Sequence, residues 1–182
     1  MSKFVVIAGL LFVVSNAWSA DTNLWCKLTS KSAGTTNPTN MFSEDTEEYA
    51  ELMVKDNFKS RRNSDTYYGT ICVTDIELKL TEIYNSKPDR TCYSRVRRND
   101  DAFSWTTPET WTNYYEVVAS YSLKRDTLKY SSVLDPDGYF FLDNYECEIT
   151  EGSNSEKINS LVNKQQEISK RLREEQKKKN KL

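Results

Sequence analysis

Four cysteines constrain this chain more than any other feature. Cys26, Cys72, Cys92 and Cys147 are spread through a 182-residue sequence that contains no histidine. Structural zinc is held by clustered thiolates or Cys/His pairs, and this spacing offers neither. An even number of cysteines in an exported chain reads instead as two disulfides. Residue alternation puts Cys26 on a strand face with Leu24 and Leu28, Cys72 with Ile76, Leu78 and Leu80, and Cys147 with Tyr145 and Ile149. The sulfurs are therefore expected to point inward. Sequence leaves all three pairings open. The nested one, Cys26 with Cys147 and Cys72 with Cys92, is preferred because it ties the first strand to the last.

The expectation of export rests on the N-terminus. Lys3 precedes an apolar run from Phe4 to Val14, and Ser15, Asn16 and the small residues Ala17, Ser19 and Ala20 follow it. This is the pattern of a secretory signal peptide. The run of about eleven residues is too short to span a bilayer, which takes roughly twenty. Cleavage is expected before Ala20 or before Asp21, giving a soluble periplasmic or secreted product with no transmembrane segment. Its one N-x-S/T match, Asn37-Pro38-Thr39, is disabled by the proline, which favours a bacterial origin over a glycosylated eukaryotic one.

Charge divides what remains. Residues 21–155 carry a net −8, whereas 156–182 hold nine Lys/Arg against four Glu, a net +5. The expected organisation is a signal peptide (1–20), a disulfide-bonded β-rich domain (21–152) and a basic helical tail (153–182).

Period-two alternation marks the strands. Tyr115, Val117, Ala119, Tyr121 and Leu123 alternate with more polar residues, Lys124-Arg125-Asp126 reads as a tight turn, and a second strand begins at Thr127. Asp135-Pro136-Asp137-Gly138 carries turn chemistry, and a third strand runs from Tyr139 to Thr150. Tyr67 to Ile83 forms a further long strand in which Gly69 marks a bulge or bend, and Leu24 to Thr29 a short one. One internal helix is expected after the cap-like Ser43-Glu44-Asp45-Thr46, because Tyr49/Met53 and Ala50/Val54/Phe58 recur every four residues. The fold class is α+β dominated by antiparallel sheet, with a small closed β-barrel as the alternative. In the tail, Ser153-x-x-Glu156 suggests a capping box, and Ile158, Leu161, Gln165, Ile168 and Leu172 form a short heptad seam. The first reading is a helix docked lightly on the body. Self-association, or contact of its lysines with an anionic surface, is the alternative.

Much chemistry is excluded by composition. Without histidine there is no Ser-His or Cys-His pair, and the five glycines form no phosphate-binding loop. Carboxylate hydrolysis survives as a minor option, with Asp75, Glu77, Glu82, Asp100 and Asp101 as candidate acids. Asp75 and Glu77 alternate with Ile76 and Leu78, so they are expected to face solvent. Asp135-Pro136-Asp137-Gly138 lacks the remaining ligands of a calcium loop, so no metal or other cofactor is expected. Arg95-Val96-Arg97-Arg98 reads as an exposed strand face on an acidic body, and nucleic acid is not an expected partner.

The stretch from Trp105 to Val118 is the most aromatic. Tyr115 fits a strand interior, while Trp105, Trp111 and Tyr114 fall in a Thr/Pro-rich segment and are the candidate binding residues, as loop aromatics suited to recognition. A plug that folds back over the open end of the sheet is the plainer reading. The leading expectation is a non-enzymatic exported binding protein, such as an inhibitor or immunity-type protein that meets an unidentified protein partner through this segment. The alternative is a carrier of a small lipid or glycan in a barrel-like sheet.

Overall fold

The computed structural model describes residues 21–34, 39–41, 43–60, 66–85, 87–111, 115–135 and 140–180. The expected signal peptide and most of the Asp135–Gly138 turn lie outside the described residues. Eight long strands follow one another as an antiparallel meander: β1 (Thr22–Gly34), β3 (Thr46–Val54), β5 (Tyr67–Lys79), β6 (Asp89–Arg98), β7 (Ala102–Trp111), β8 (Tyr115–Lys124), β9 (Lys129–Asp135) and β10 (Phe140–Thr150). Two short strands, β2 (Thr39–Asn40) and β4 (Lys59–Ser60), pair with β1 and β5. β10 also pairs with β1, so the sheet closes into an eight-stranded barrel followed by helix α1 (Ser155–Lys179). Closure removes the exposed strand edges of an open sheet, and a barrel of this size is filled by side chains or holds one small ligand.

Both disulfides join strands that are already neighbours. Cys26 pairs with Cys147 across the β1–β10 seam, and Cys72 with Cys92 across β5–β6. Their sequence separations are 121 and 20 residues. In the chain-entropy account such loops contribute about 5 and about 3 kcal/mol through the unfolded state. The nested pairing is thus the observed one, but only the Cys26–Cys147 bridge joins the interior. Cys72 lies on the outer face, because Ile71 and Val73 take the inward positions of β5.

One end of the barrel is packed apolar. Leu24, Leu52, Ile71, Val96, Phe103 and Leu123 are no more than 1% exposed. Phe58 tilts against Phe103 at 5.1 Å. Gly69 makes this closure possible: a Cβ there would lie 2.6 Å from the Phe58 ring, and the β5–β6 register shifts between Gly69 and Ile71. The expected bulge is therefore present, with a packing reason. Arg98 covers the Phe58 and Tyr67 rings at 5.6 and 4.6 Å, shielding the plug from water.

The expected internal helix is a strand. Residues 46–54 form β3, which pairs with β1 on one side and β5 on the other. Positions four apart share a face in a strand as well as in a helix, so Tyr49/Met53 and Ala50/Val54 could not distinguish the two. The decisive pattern is Ala50, Leu52 and Val54, all inward and buried.

The tail docks on the body. Gln165 and Ser169 are buried on α1, while Ile158, Leu161, Val162, Ile168 and Leu172 are half-buried beside them. α1 packs on β5, whose outward Ile76 and Leu78 are 2% and 0% exposed. Polar contacts fix the register. The Gln165 Oε1 accepts from the Lys79 backbone N–H at 2.7 Å, and the Ser169 hydroxyl accepts from Tyr84 N–H at 3.1 Å and donates to Tyr84 C=O at 2.8 Å. The helix entrance is Asn154 rather than Ser153, and the buried Glu51 carboxylate accepts the Asn154 N–H at 3.2 Å.

Candidate functional site in the open end of the barrel

At the opposite end the same strands turn different residues inward. The bulge in β1 between Leu28 and Ser30 changes the alternation, so Lys31 enters the barrel beyond Leu28. Glu48 follows Ala50 on the inward face of β3, and Asp75 and Glu77 follow Ile71 and Val73 on β5. β10 contributes Asp143 and Tyr145, and β8 and β9 add Tyr121, Tyr130 and Ser132. Tyr84, Lys87 and Asp89 complete the rim between β5 and β6. Together these groups enclose a cup of about 430 Å³.

This arrangement corrects the expectation for β5. Asp75 and Glu77 do not face outer solvent: they project into the cup, and the apolar set Ile76/Leu78 faces α1. Both faces of β5 are covered, so an apolar face did not identify the interior.

The floor is aromatic. Trp105 stacks on Tyr121 at 5.2 Å and 10° and lies nearly parallel to Tyr130 at 6.1 Å. Tyr93 and Tyr145 extend the cluster. Trp105 is 5% exposed, on a strand and inside the barrel, so it is not part of an exposed loop platform. Trp111 ends β7 opposite Tyr115, but its side chain lies outside the described residues, as does all of Tyr114. Of the three candidate aromatics, only Trp105 has a described side chain. Arg95 and Arg97 do lie on the exposed face of β6 with Val96 inward, as expected.

Electrostatically the cup is acidic. Five carboxylates, Glu48, Asp75, Glu77, Asp89 and Asp143, line it against Lys31 and Lys87. Lys31 Nζ donates to Glu48 at 2.7 Å and lies 3.9 Å from Asp143. Burial pulls the Lys31 pKa down, but the Glu48 hydrogen bond and the charges of Asp143, Glu48 and Glu77 outweigh it and raise the ammonium above its usual range. Water from the cup reaches Asp75, yet the barrel wall surrounds its carboxylate. That enclosure, followed by repulsion from Glu48, Asp89 and Asp143, raises Asp75 to about 6. Asp143 is also raised, chiefly by burial, with Lys31 opposing the shift. Burial first, and neighbouring carboxylates second, hold the hydroxyls of Tyr130 and Tyr145 protonated well above the usual phenol range.

Neither disulfide sulfurs nor histidine enter this site. Among the described residues, no three acidic or thiol side chains converge closely enough to hold a metal ion. Of the other candidate acids, Glu82 is exposed and paired with Lys79 at 3.1 Å, and Asp100 and Asp101 lie in the β6–β7 turn at the packed end. Sequence reasoning missed Lys31, Glu48, Asp143 and most of the tyrosines. They come from strands far apart in the chain, and only the closed topology gathers them.

Comparison with known proteins supplies no further assignment: no family model, curated protein or solved structure matches the chain. The two disulfides indicate an oxidising, extracytoplasmic setting. No described helix is long and apolar enough to cross a membrane.

Proposed function

We propose that this protein is an exported, non-enzymatic carrier that holds one small polar ligand in the open end of its barrel. The observation that carries this reading is the cup itself. Its volume of about 430 Å³ lies in the range of small-molecule sites, and it combines an aromatic floor with a few convergent polar groups. A lipid would leave several of those carboxylates dehydrated against a hydrocarbon chain, so a polar ligand fits better than an apolar one. The signal peptide read at residues 1–20 would deliver the carrier outside the cytoplasm.

The protein-inhibitor reading has lost one of its anchors, since Trp105 is buried beneath Tyr121. Its remaining supports are Trp111, Tyr114 and the acidic surface of the body.

The test is native mass spectrometry of the oxidised mature chain after incubation with a small-molecule extract of the producing organism. A Ser132→Phe variant, which fills the cup from β9, serves as the comparison. The wild type should retain a discrete small-molecule adduct that the variant loses. No adduct on the wild type, or the same adduct on both, overturns the carrier reading.

A further inference from the structure

We propose that the ligand of the cup is a small organic cation: an ammonium group carried on a flat, largely apolar body. This inference rests on the carrier reading and names its ligand class.

The cup already holds one ammonium, its own. Lys31 reaches in from β1 and is bound by Glu48 at 2.7 Å, with Asp143 at 3.9 Å. That pairing occupies Glu48 and leaves an excess of carboxylate. Asp75 has no cation within ion-pair distance among the described residues, and the charges that act on it, those of Glu48, Asp89 and Asp143, are all acidic. A separate feature of the cup wall points the same way. The Oδ1 oxygen of Asp143 is buried and accepts no hydrogen bond among the described residues. Buried acceptors are ordinarily satisfied, so this one adds to the uncompensated negative charge of the cup wall. An ammonium supplies the charge that Asp75 lacks together with N–H donors for its carboxylate.

The body of the ligand is set by the aromatics. Tyr121, Tyr130 and Tyr145 line the cup, and an aromatic lining packs well against a flat group and favours a cation over an anion, while Trp105, stacked on Tyr121 and Tyr130, braces them. An anion would enter against five carboxylates, and a neutral sugar would leave their repulsion unrelieved. A bare metal ion lacks a converging set of acidic ligands among the described residues.

Titration calorimetry on the oxidised mature chain tests this with three probes of similar shape: phenethylamine, phenethyl alcohol and hydrocinnamate. The amine should bind at least about tenfold more tightly than the alcohol, as expected for one charge-assisted hydrogen bond over a neutral one, and hydrocinnamate should bind least. Asp75→Asn, a near-isosteric change, should weaken amine binding about tenfold and leave the alcohol unaffected. Ser132→Phe should abolish binding of the amine. Alcohol or hydrocinnamate binding as tightly as the amine would overturn the ligand class, as would no amine binding at millimolar concentration. Either result leaves the carrier reading to its own test, because a neutral or acidic adduct from the extract would still satisfy that one.

Discussion

The two ends of this barrel are built from the same strands and have opposite characters. At one end Leu24, Leu52, Ile71, Val96, Phe103 and Leu123 interlock without access to water. At the other, Lys31, Glu48, Asp75, Glu77 and Asp143 occupy the equivalent inward positions further along β1, β3, β5 and β10. Closing the sheet and packing one end supplies the apolar burial that folding needs. The other end is then free to gather like charges that a packed core would exclude. The contrast separates a stability region from a candidate recognition region within one continuous interior.

The most forceful way to break this division is at the packed end. Phe103 is 1% exposed and holds Phe58 in place across the bottom of the barrel. Phe103→Ala should cost about 3–5 kcal/mol, the usual range for a buried aromatic reduced to alanine. Denaturant unfolding measures it through the midpoint, with the slope unchanged if the transition remains two-state. A cost below about 1 kcal/mol, the level of an ordinary surface change, would mean that the plug does not anchor the fold.

The packed end was also the more legible one. Alternation along β8 and β10 identified the strands and turned Leu123, Tyr145 and Cys147 inward, though Ile149, expected on the same face, is exposed; Gly69 marked its bulge, and the cysteines foretold which strands meet at the seam. The open end was not legible, for physical reasons. Asp75 and Glu77 share a face with Ile71 and Val73, but Ile76 and Leu78 offered an equally apolar opposite face because α1 covers it. β3 was hidden by four-residue spacings common to helices and strands. Trp105 looked like a loop residue because β8 alternation begins later, whereas β7 carries its own. Lys31, Glu48 and Asp143 carry no local signal: their meeting depends on register between distant strands and on a bulge in β1.

A smaller effect tests the link between the ends of β5 and the helix that covers it. Gln165 is fully buried, bonded to the Lys79 N–H at 2.7 Å and donating to Ser169 at 3.3 Å. Ser169 in turn grips both backbone groups of Tyr84, a rim residue of the cup. Gln165→Leu keeps the bulk but leaves the Lys79 N–H without its acceptor. The expected loss is about 1–3 kcal/mol, the range for an orphaned buried donor. Hydrogen exchange should show α1 amides losing protection while β7 and β8 keep theirs. Equal loss throughout would mean that helix and barrel unfold as one unit, removing the distinction between a stable barrel and a latched rim.

The smallest effect has the most revealing sign. Asp75 titrates near 6 in the folded protein against an ordinary value of 3.8, so the folded state binds this proton more tightly than the unfolded state. Its charged form therefore opposes folding above about pH 6, and that opposition fades as pH falls through 6 toward 4. Burial sets the direction, and the charges of Glu48 from β3, Asp89 from β6 and Asp143 from β10 add to it, while Glu77 of β5 is a further acid in the cup. Lys31 is engaged by Glu48, Lys87 is on the rim, and Tyr130 and Tyr145 remain protonated. Asp75→Asn should stabilise the protein at pH 7.5 by about 1 kcal/mol, a figure reduced for the water that enters the cup. The melting temperature should rise by about 2–4 °C, and the gain should vanish near pH 4. Destabilisation at pH 7.5 would place an attractive partner beside Asp75 and erase the charge excess that distinguishes the open end. Stabilisation there, paired with weaker amine binding, would mark Asp75 as a residue kept for recognition at the expense of stability.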